Sequence, residues 1–209
     1  MKAYLFDFDG TLVDSMPTFA AVMLRILEES GVAYGGDVVK IITPLGYAGT
    51  AEYFRGLGIN ESREALVCRM HERARREYAE NIPAKAGVAE TLRELWNRGA
   101  SLNVLTASPH EMLDPCLTRL GLFELFDNVW SCEDFGTTKG DPAIYKMAAE
   151  RLGCGVGEVL FVDDNVGAVG TAKRAGMQTV GIYDDSSRES VEEMKNTADR
   201  YIERFSELL

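Results

Sequence analysis

The sequence predicts an α/β fold, a Rossmann-like, doubly wound parallel sheet interrupted by one all-helical insertion. Three features carry that expectation. Four short runs are apolar throughout or nearly so, as strands covered on both faces must be. They alternate with helical patterns, which implies parallel strands joined by crossover helices. One long stretch near the N-terminus shows helical periodicity alone.

Taken in order, the first apolar run is Ala3 to Phe6 and ends on acids. From about Ser15 to Ala84 only helical patterns follow. Phe19, Met23, Ile26 and Leu27 share one face before Gly31, and Leu66, Met70 and Ala74 turn inward within the charged run from Glu61 to Asn81. Turn signals at Gly35-Gly36, Pro44 to Gly49 and Gly56 to Asn60 divide this stretch into roughly four helices. In Gly87 to Gly99 the set Val88, Leu92, Leu95, Trp96 marks a helix stopped by Gly99. The second strand, Leu102 to Leu105, comes next. Asp141-Pro142 pairs an N-cap with a first-turn proline; Ile144, Met147 and Ala148 form a face, and Gly153 closes the helix. Val159 to Val162 and Thr179 to Ile182 complete the set. The expected domains are therefore an α/β core of residues 1–14 and 85–209 and a helical domain of residues 15–84.

At 209 residues and 46% hydrophobic, the chain has ample material for one core with a smaller insertion. No apolar run approaches the roughly 18 residues of a membrane span, and the first residues show neither the basic region nor the apolar stretch of a secretion signal, so a soluble, intracellular protein is expected. The four cysteines, Cys68, Cys116, Cys132 and Cys154, form no CxxC pair, so neither zinc nor a disulfide framework is suggested and a reducing, cytoplasmic setting is expected. Asn60-Glu61-Ser62 matches a glycosylation acceptor by chance in such a setting. A formal charge of −11 argues against nucleic acid and anionic membranes as partners, since both require clustered Lys and Arg.

In an open parallel sheet, ligands bind beyond the carboxyl ends of the strands. The first run delivers Asp7 and Asp9, the second Thr106 and Ser108, the third Asp163 and Asp164, with Lys139 preceding a helix between them. Crowded carboxylates cost stability unless a cation uses them. Such a group can hold Mg²⁺ through hard oxygen ligands, balance a phosphate with lysine and metal, and leave one carboxylate free to attack.

DFDGT, a strand ending in Thr106, Lys139 and FVDDN, in this order from Asp7 to Asn165, resemble the haloacid dehalogenase superfamily, and the helical insertion stands where that family places its C1 cap. The resemblance implies a Mg²⁺-dependent phosphatase of a small phosphorylated metabolite, phosphoglycolate phosphatase-like, working through an aspartyl phosphate. Asp7 would be the nucleophile and Asp9 the acid and base. Gly10 would bring backbone amides to the phosphate and Thr11 would orient Asp9 by a hydrogen bond. Thr106 and the Ala107 amide would bind phosphoryl oxygens, and Lys139 would neutralise Asp7 and the phosphate. Asp164 would complete the metal site with Asp7 and the Asp9 carbonyl. Asp163 replaces the glycine of the commoner fourth motif and Ala168 stands in place of its later acid, so Asp163 is expected to substitute for that carboxylate. Gly140 follows Lys139 where many relatives have proline.

A β-phosphoglucomutase-like phosphomutase shares cap, nucleophile and acid and is the alternative; Thr11 leans towards hydrolysis. Dehalogenation has no leaving oxygen for Asp9 to protonate. Phosphonate cleavage would need a lysine in the cap, for which Lys40 is a poor candidate. A response-regulator receiver would place its acidic pair first in the chain, not last, and has no helical insertion. Arg69, Arg73, Arg75 and Arg76 read as a solvated face, with a lesser reading in which one of them, Lys40 or Arg55 holds a second anion. His71 and His110 read as surface residues; no serine motif accompanies them.

Overall fold

A computed structural model describes residues 3–209, so Met1 and Lys2 of the expected 1–14 segment lie outside the described residues. The chain divides into two compact units, one of the segment ending at Asp14 with Pro83–Leu209, the other of Ser15–Ile82. Strand β1 (Ala3–Phe6) opens the first unit. The second unit holds helices α1 (Met16–Glu29), α2 (Val38–Ile42), α3 (Gly46–Gly56) and α4 (Arg63–Glu80). The first unit then resumes with α5 (Val88–Asn97), β2 (Ser101–Thr106), α6 (His110–Arg119), β3 (Asn128–Ser131), α7 (Pro142–Arg151), β4 (Val159–Asp163), α8 (Val166–Ala175), β5 (Gln178–Ile182), α9 (Val191–Thr197) and β6 (Arg200–Ile202).

The six strands form one sheet in the order β3-β2-β1-β4-β5-β6, with every neighbouring pair parallel. This is the expected doubly wound architecture. The strand order reverses between β1 and β4, which makes their carboxyl ends the natural binding crevice. Both sheet faces are covered, which explains why the central runs are apolar without alternation. Leu5 packs on one face with Leu105, Ile144, Tyr145 and Phe161. Phe6 faces the other way and meets the rings of Phe126 and Phe205 at centroid distances of 6.4 and 5.6 Å.

The sequence pattern does not mark β3 and β6, because edge strands are covered less completely. In β3 Asn128, Val129 and Trp130 are only partly buried, and β6 is three residues long. Within the helical unit, the core gathers Met23, Ile26, Leu27, Ile42, Phe54, Leu66 and Met70. The turn expected over Pro44 to Gly49 separates α2 from α3 but is shorter than expected, ending at Gly46 with φ near +60°. Thr43–Leu45 forms a 3₁₀ turn and α3 starts at Gly46, since proline is tolerated in the first turn of a helix. Ser62, the last residue of the Asn60-Glu61-Ser62 triplet, caps α4 by accepting from the Ala65 amide at 3.1 Å.

The two chain segments that leave and re-enter the first unit pair with each other. Val13 bridges Ala84, the Asp14 amide donates to the Pro83 carbonyl, and the Lys85 amide donates to that of Leu12, the last two both at 3.0 Å. No helix among the described residues is long and apolar enough to cross a membrane.

Candidate active site

The carboxyl end of β1 sets the frame. The Asp7 amide donates to the Val162 carbonyl at 2.9 Å and so extends the ladder one residue past the strand. The chain then turns back on itself, with the amides of Leu12 and Val13 both donating to the Phe8 carbonyl and that of Gly10 to Val13. Gly10 makes this possible with φ near +78°, and a Cβ there would stand 2.8 Å from the carboxyl group of Asp164. The side chain of Asp7 is almost wholly buried, as is that of Asp163.

Lys139, on the loop before α7, donates to Asp7 and, at 2.9 Å, to Oδ2 of Asp163. The loop is braced from behind. The buried phenol of Tyr145 lies 3.0 Å from the Lys139 carbonyl and 3.1 Å from that of Ala168, and Asp141 caps α7 by accepting from the Ala143 amide. At the end of β4, Oδ1 of Asp163 accepts from the Asn165 amide at 2.7 Å, while the Asn165 side chain caps α8 through Gly167 and Ala168. Asp7, Asp163 and Asp164 each present a carboxylate oxygen within 4.8 Å of the others. Lys139 thus bonds two of these three carboxylates, and its charge acts on the third.

The electrostatics follow from that imbalance. Burial pushes Asp7 up to about 7, with Asp163 and Asp9 adding to the rise and Lys139 pulling against it. Burial likewise raises Asp164, reinforced by Asp163, Asp7 and Asp184. Burial disfavours the Lys139 ammonium, but the charges of Asp163 and Asp7 outweigh it and push its pKa up, so the lysine stays charged. An oxygen-rich, cation-poor pocket of this kind fits a hard divalent ion.

Asp7, Asp163, Asp164 and Lys139 form this cluster, and Gly10 abuts it. Thr106 is buried at the end of β2, where its Oγ1 accepts from the Ser108 amide at 3.1 Å, and Ala107 between them is exposed. The expected hydrogen bond from Thr11 to Asp9 is replaced by two others. Thr11 donates to Asp164 at 3.4 Å, and the Ser108 hydroxyl donates to Oδ2 of Asp9 at 2.5 Å. The cause is geometric: the turn at Gly10 points the Thr11 hydroxyl towards β4, while Ser108 comes from β2.

Two further residues bear on the cluster and have weaker sequence signals. Asp184 follows β5, where the strand-end rule applied to Thr179 to Ile182 points to it; Lys85, which donates to it at 2.9 Å, has no such signal. Three cations of the helical unit are paired within that unit. Arg69 pairs with Glu61 and Glu29, Arg73 with Glu29, and Arg55 with Glu52. His71 lies against the Tyr47 ring, and His110 sits between Asp114 and Asp134, at 2.9 Å from each.

A parallel sheet with its acids and lysine gathered at the point where strand order reverses defines a doubly wound α/β enzyme of the aspartate-and-lysine type. The chain belongs to the haloacid dehalogenase-like hydrolase family, whose model matches residues 1–176. It is 31% identical over 184 residues to the pyrophosphatase PpaX of Bacillus velezensis, covering 87% of this chain and 83% of that protein. It is 28% identical over 217 residues to a phosphoglycolate phosphatase of Pectobacterium atrosepticum, covering 100% and 91%. Among solved structures, a HAD family hydrolase from Deinococcus radiodurans superposes with a TM-score of 0.77 at 23% identity, covering 100% of this chain and 93% of that one. The chain is therefore an enzyme of this hydrolase family.

Proposed function

We propose that the protein is a Mg²⁺-dependent phosphomonoesterase that hydrolyses a small phosphorylated metabolite through an aspartyl phosphate on Asp7, with the helical unit as its cap domain. The observation that carries this reading is the cluster of three carboxylates, two of them almost wholly buried, beside one ammonium, in a family whose relatives named above include a phosphoglycolate phosphatase and a pyrophosphatase. Asp7, Asp164 and the main-chain carbonyl of Asp9 would hold Mg²⁺, with Asp163 beside them, and the ion would supply neutralisation of the phosphoryl charge.

This chain's own groups do the rest. An Asp7 carboxylate oxygen attacks phosphorus and the bond to the ester oxygen breaks. Asp9, held by the Ser108 hydroxyl, gives its proton to that leaving oxygen. A water then attacks the phosphoryl group, Asp9 takes its proton, and the acyl-phosphate bond breaks to return Asp7 and release phosphate. Lys139 keeps nucleophile and substrate from repelling each other. Because Thr106 Oγ1 accepts from the Ser108 amide, its hydroxyl proton is left for a phosphoryl oxygen, as is the amide of exposed Ala107.

The test is phosphate release from p-nitrophenyl phosphate with and without Mg²⁺. Asp7→Asn is expected to lower kcat by on the order of 10³-fold or more. Equal activity in variant and wild type would end the assignment, and a panel of phosphorylated metabolites would then identify the substrate of the active enzyme.

A further inference from the structure

Lys85 occupies an oxygen cage that the mechanism above does not use. Its Nζ lies 2.6 Å from the Gly10 carbonyl, 2.8 Å from that of Tyr183 and 2.9 Å from Oδ2 of Asp184. A lysine ammonium has three donors and no acceptor, so all three are matched. The group is largely enclosed: the Lys85 side chain is 19% exposed and that of Asp184 6%. Asp184 is itself well held. Its other oxygen accepts from the amide and hydroxyl of Ser186 at 2.9 and 2.5 Å. Burial opposes its charge, but Ser186 and Lys85 outweigh burial and keep the carboxyl below its usual range.

Two main-chain carbonyls and a carboxylate converging on one point make a site of the kind a monovalent cation fills, and here the cation is tethered. Lys85 also grips the same loop through its backbone, whose amide donates to the Leu12 carbonyl. The Gly10 backbone passes close to Asp164, whose carboxyl stands 2.8 Å from where a Cβ would be, so a shift of this peptide disturbs its fit beside Asp164 and carries the Asp7–Val13 loop with it. Remove the ammonium, and the Gly10 and Tyr183 carbonyls are left facing a carboxylate with no donor between them.

We propose that Lys85 is a positioning residue for the reaction, a tethered cation that pins the Gly10 carbonyl to the end of β5 and so fixes the geometry of Asp7, Asp9 and Asp164. The proposal rests on the phosphatase reading for the reaction it serves, but its first readout needs no turnover. In Lys85→Ala, the amides of Gly10, Leu12 and Val13 are expected to exchange hydrogen at least about ten-fold faster while amides of β2 and β4 keep their protection. In the same variant, kcat is expected to fall about 10- to 100-fold with KM changed less than about three-fold. Ethylammonium or K⁺ restores part of both in Lys85→Ala but not in Lys85→Met, whose stem fills the cage. Asp184→Asn, which keeps Lys85 and an oxygen acceptor, is expected to move both readouts in the same direction by less, and it stands in if Lys85→Ala does not fold.

Unchanged loop exchange, or faster exchange spread evenly over the whole sheet, overturns the proposal, because an ordinary stabilising ion pair gives one of those results. Failure of every small cation to restore Lys85→Ala also counts against it. A wild type that releases no phosphate strikes the phosphatase reading alone, since loop exchange is measured without substrate.

Discussion

The two units each carry a cluster of opposite charges, built on different terms. In the helical unit, Arg69 and Arg73 of α4 meet Glu29 of α1 and Glu61 just before α4, two cations to two anions, with side chains 26–42% exposed. In the α/β unit, Lys139 bonds Asp7 and Asp163, with Asp164 clustered beside them, and the Lys139, Asp7 and Asp163 side chains are at most 14% exposed. A balanced, solvated network contributes little to stability and tolerates change. An unbalanced, dehydrated one costs stability and persists because something else uses the excess charge. Number of ion pairs does not separate the two; burial and the ratio of signs do.

The strongest way to break that contrast is to remove one cation from each cluster. Lys139→Met leaves buried carboxylates uncompensated and is expected to destabilise the protein by roughly 3–5 kcal/mol, measured by urea unfolding without divalent ions, and to abolish turnover. Added Mg²⁺ is expected to recover part of the lost stability, because it replaces the missing positive charge. Arg73→Ala, the matched change on the surface, is expected to leave both the unfolding midpoint and kcat at wild-type values. Equal losses in the two variants would refute the distinction.

A smaller effect comes from geometry instead of charge. Gly10→Ala keeps every ionisable group but forces an L side chain to φ near +78° with its Cβ 2.8 Å from the Asp164 carboxyl. The backbone strain alone is about 1–2 kcal/mol. Displacement of Asp164 is expected to lower kcat about 10- to 100-fold, with a higher Mg²⁺ concentration needed for half-maximal rate. An alanine variant with wild-type Mg²⁺ dependence would show that this close approach has no bearing on the metal site.

The same contrast explains how much could be read from the chain. The central strands were legible because two covered faces demand unbroken apolar runs, and the first polar residues after them, Asp7, Thr106 and Asp163, stand at the crevice for that reason. Strands β3 and β6 were not, since an edge strand can carry Asn128 or Arg200 without cost. At Pro44 to Gly49 local chemistry read the break between α2 and α3 but not its extent: the turn takes only Thr43–Leu45 and Gly46, and α3 runs on through Gly49. What the sequence hides most completely is contact between distant residues. Thr11 and Asp164 are 153 positions apart, and Lys85 finds the carbonyls of Gly10 and Tyr183 at separations of 75 and 98. A backbone carbonyl has no sequence signature, so a lysine whose partners are carbonyls reads as a solvated one.

The smallest effect tests a charge cluster between the two extremes. His110 bridges α6 and the end of β3 through Asp114 and Asp134 with 39% of its side chain exposed. The bond to Asp114 raises its pKa, burial lowers it, and the bond to Asp134 raises it further, for a net rise above the usual value of about 6.5. A group whose pKa is higher in the folded state binds its proton more tightly there, so its contribution to stability is complete below about pH 6.5 and fades as pH climbs through the raised folded value. The difference in unfolding free energy between wild type and His110→Gln is therefore expected to favour wild type at pH 5.5 to 6 and to shrink by pH 8.5, with kcat unchanged at either pH. Solvent screening at this exposure keeps the effect below that of Gly10→Ala. A difference that grows with pH would have the wrong sign and would mean that the imidazole is held neutral between its two carboxylates.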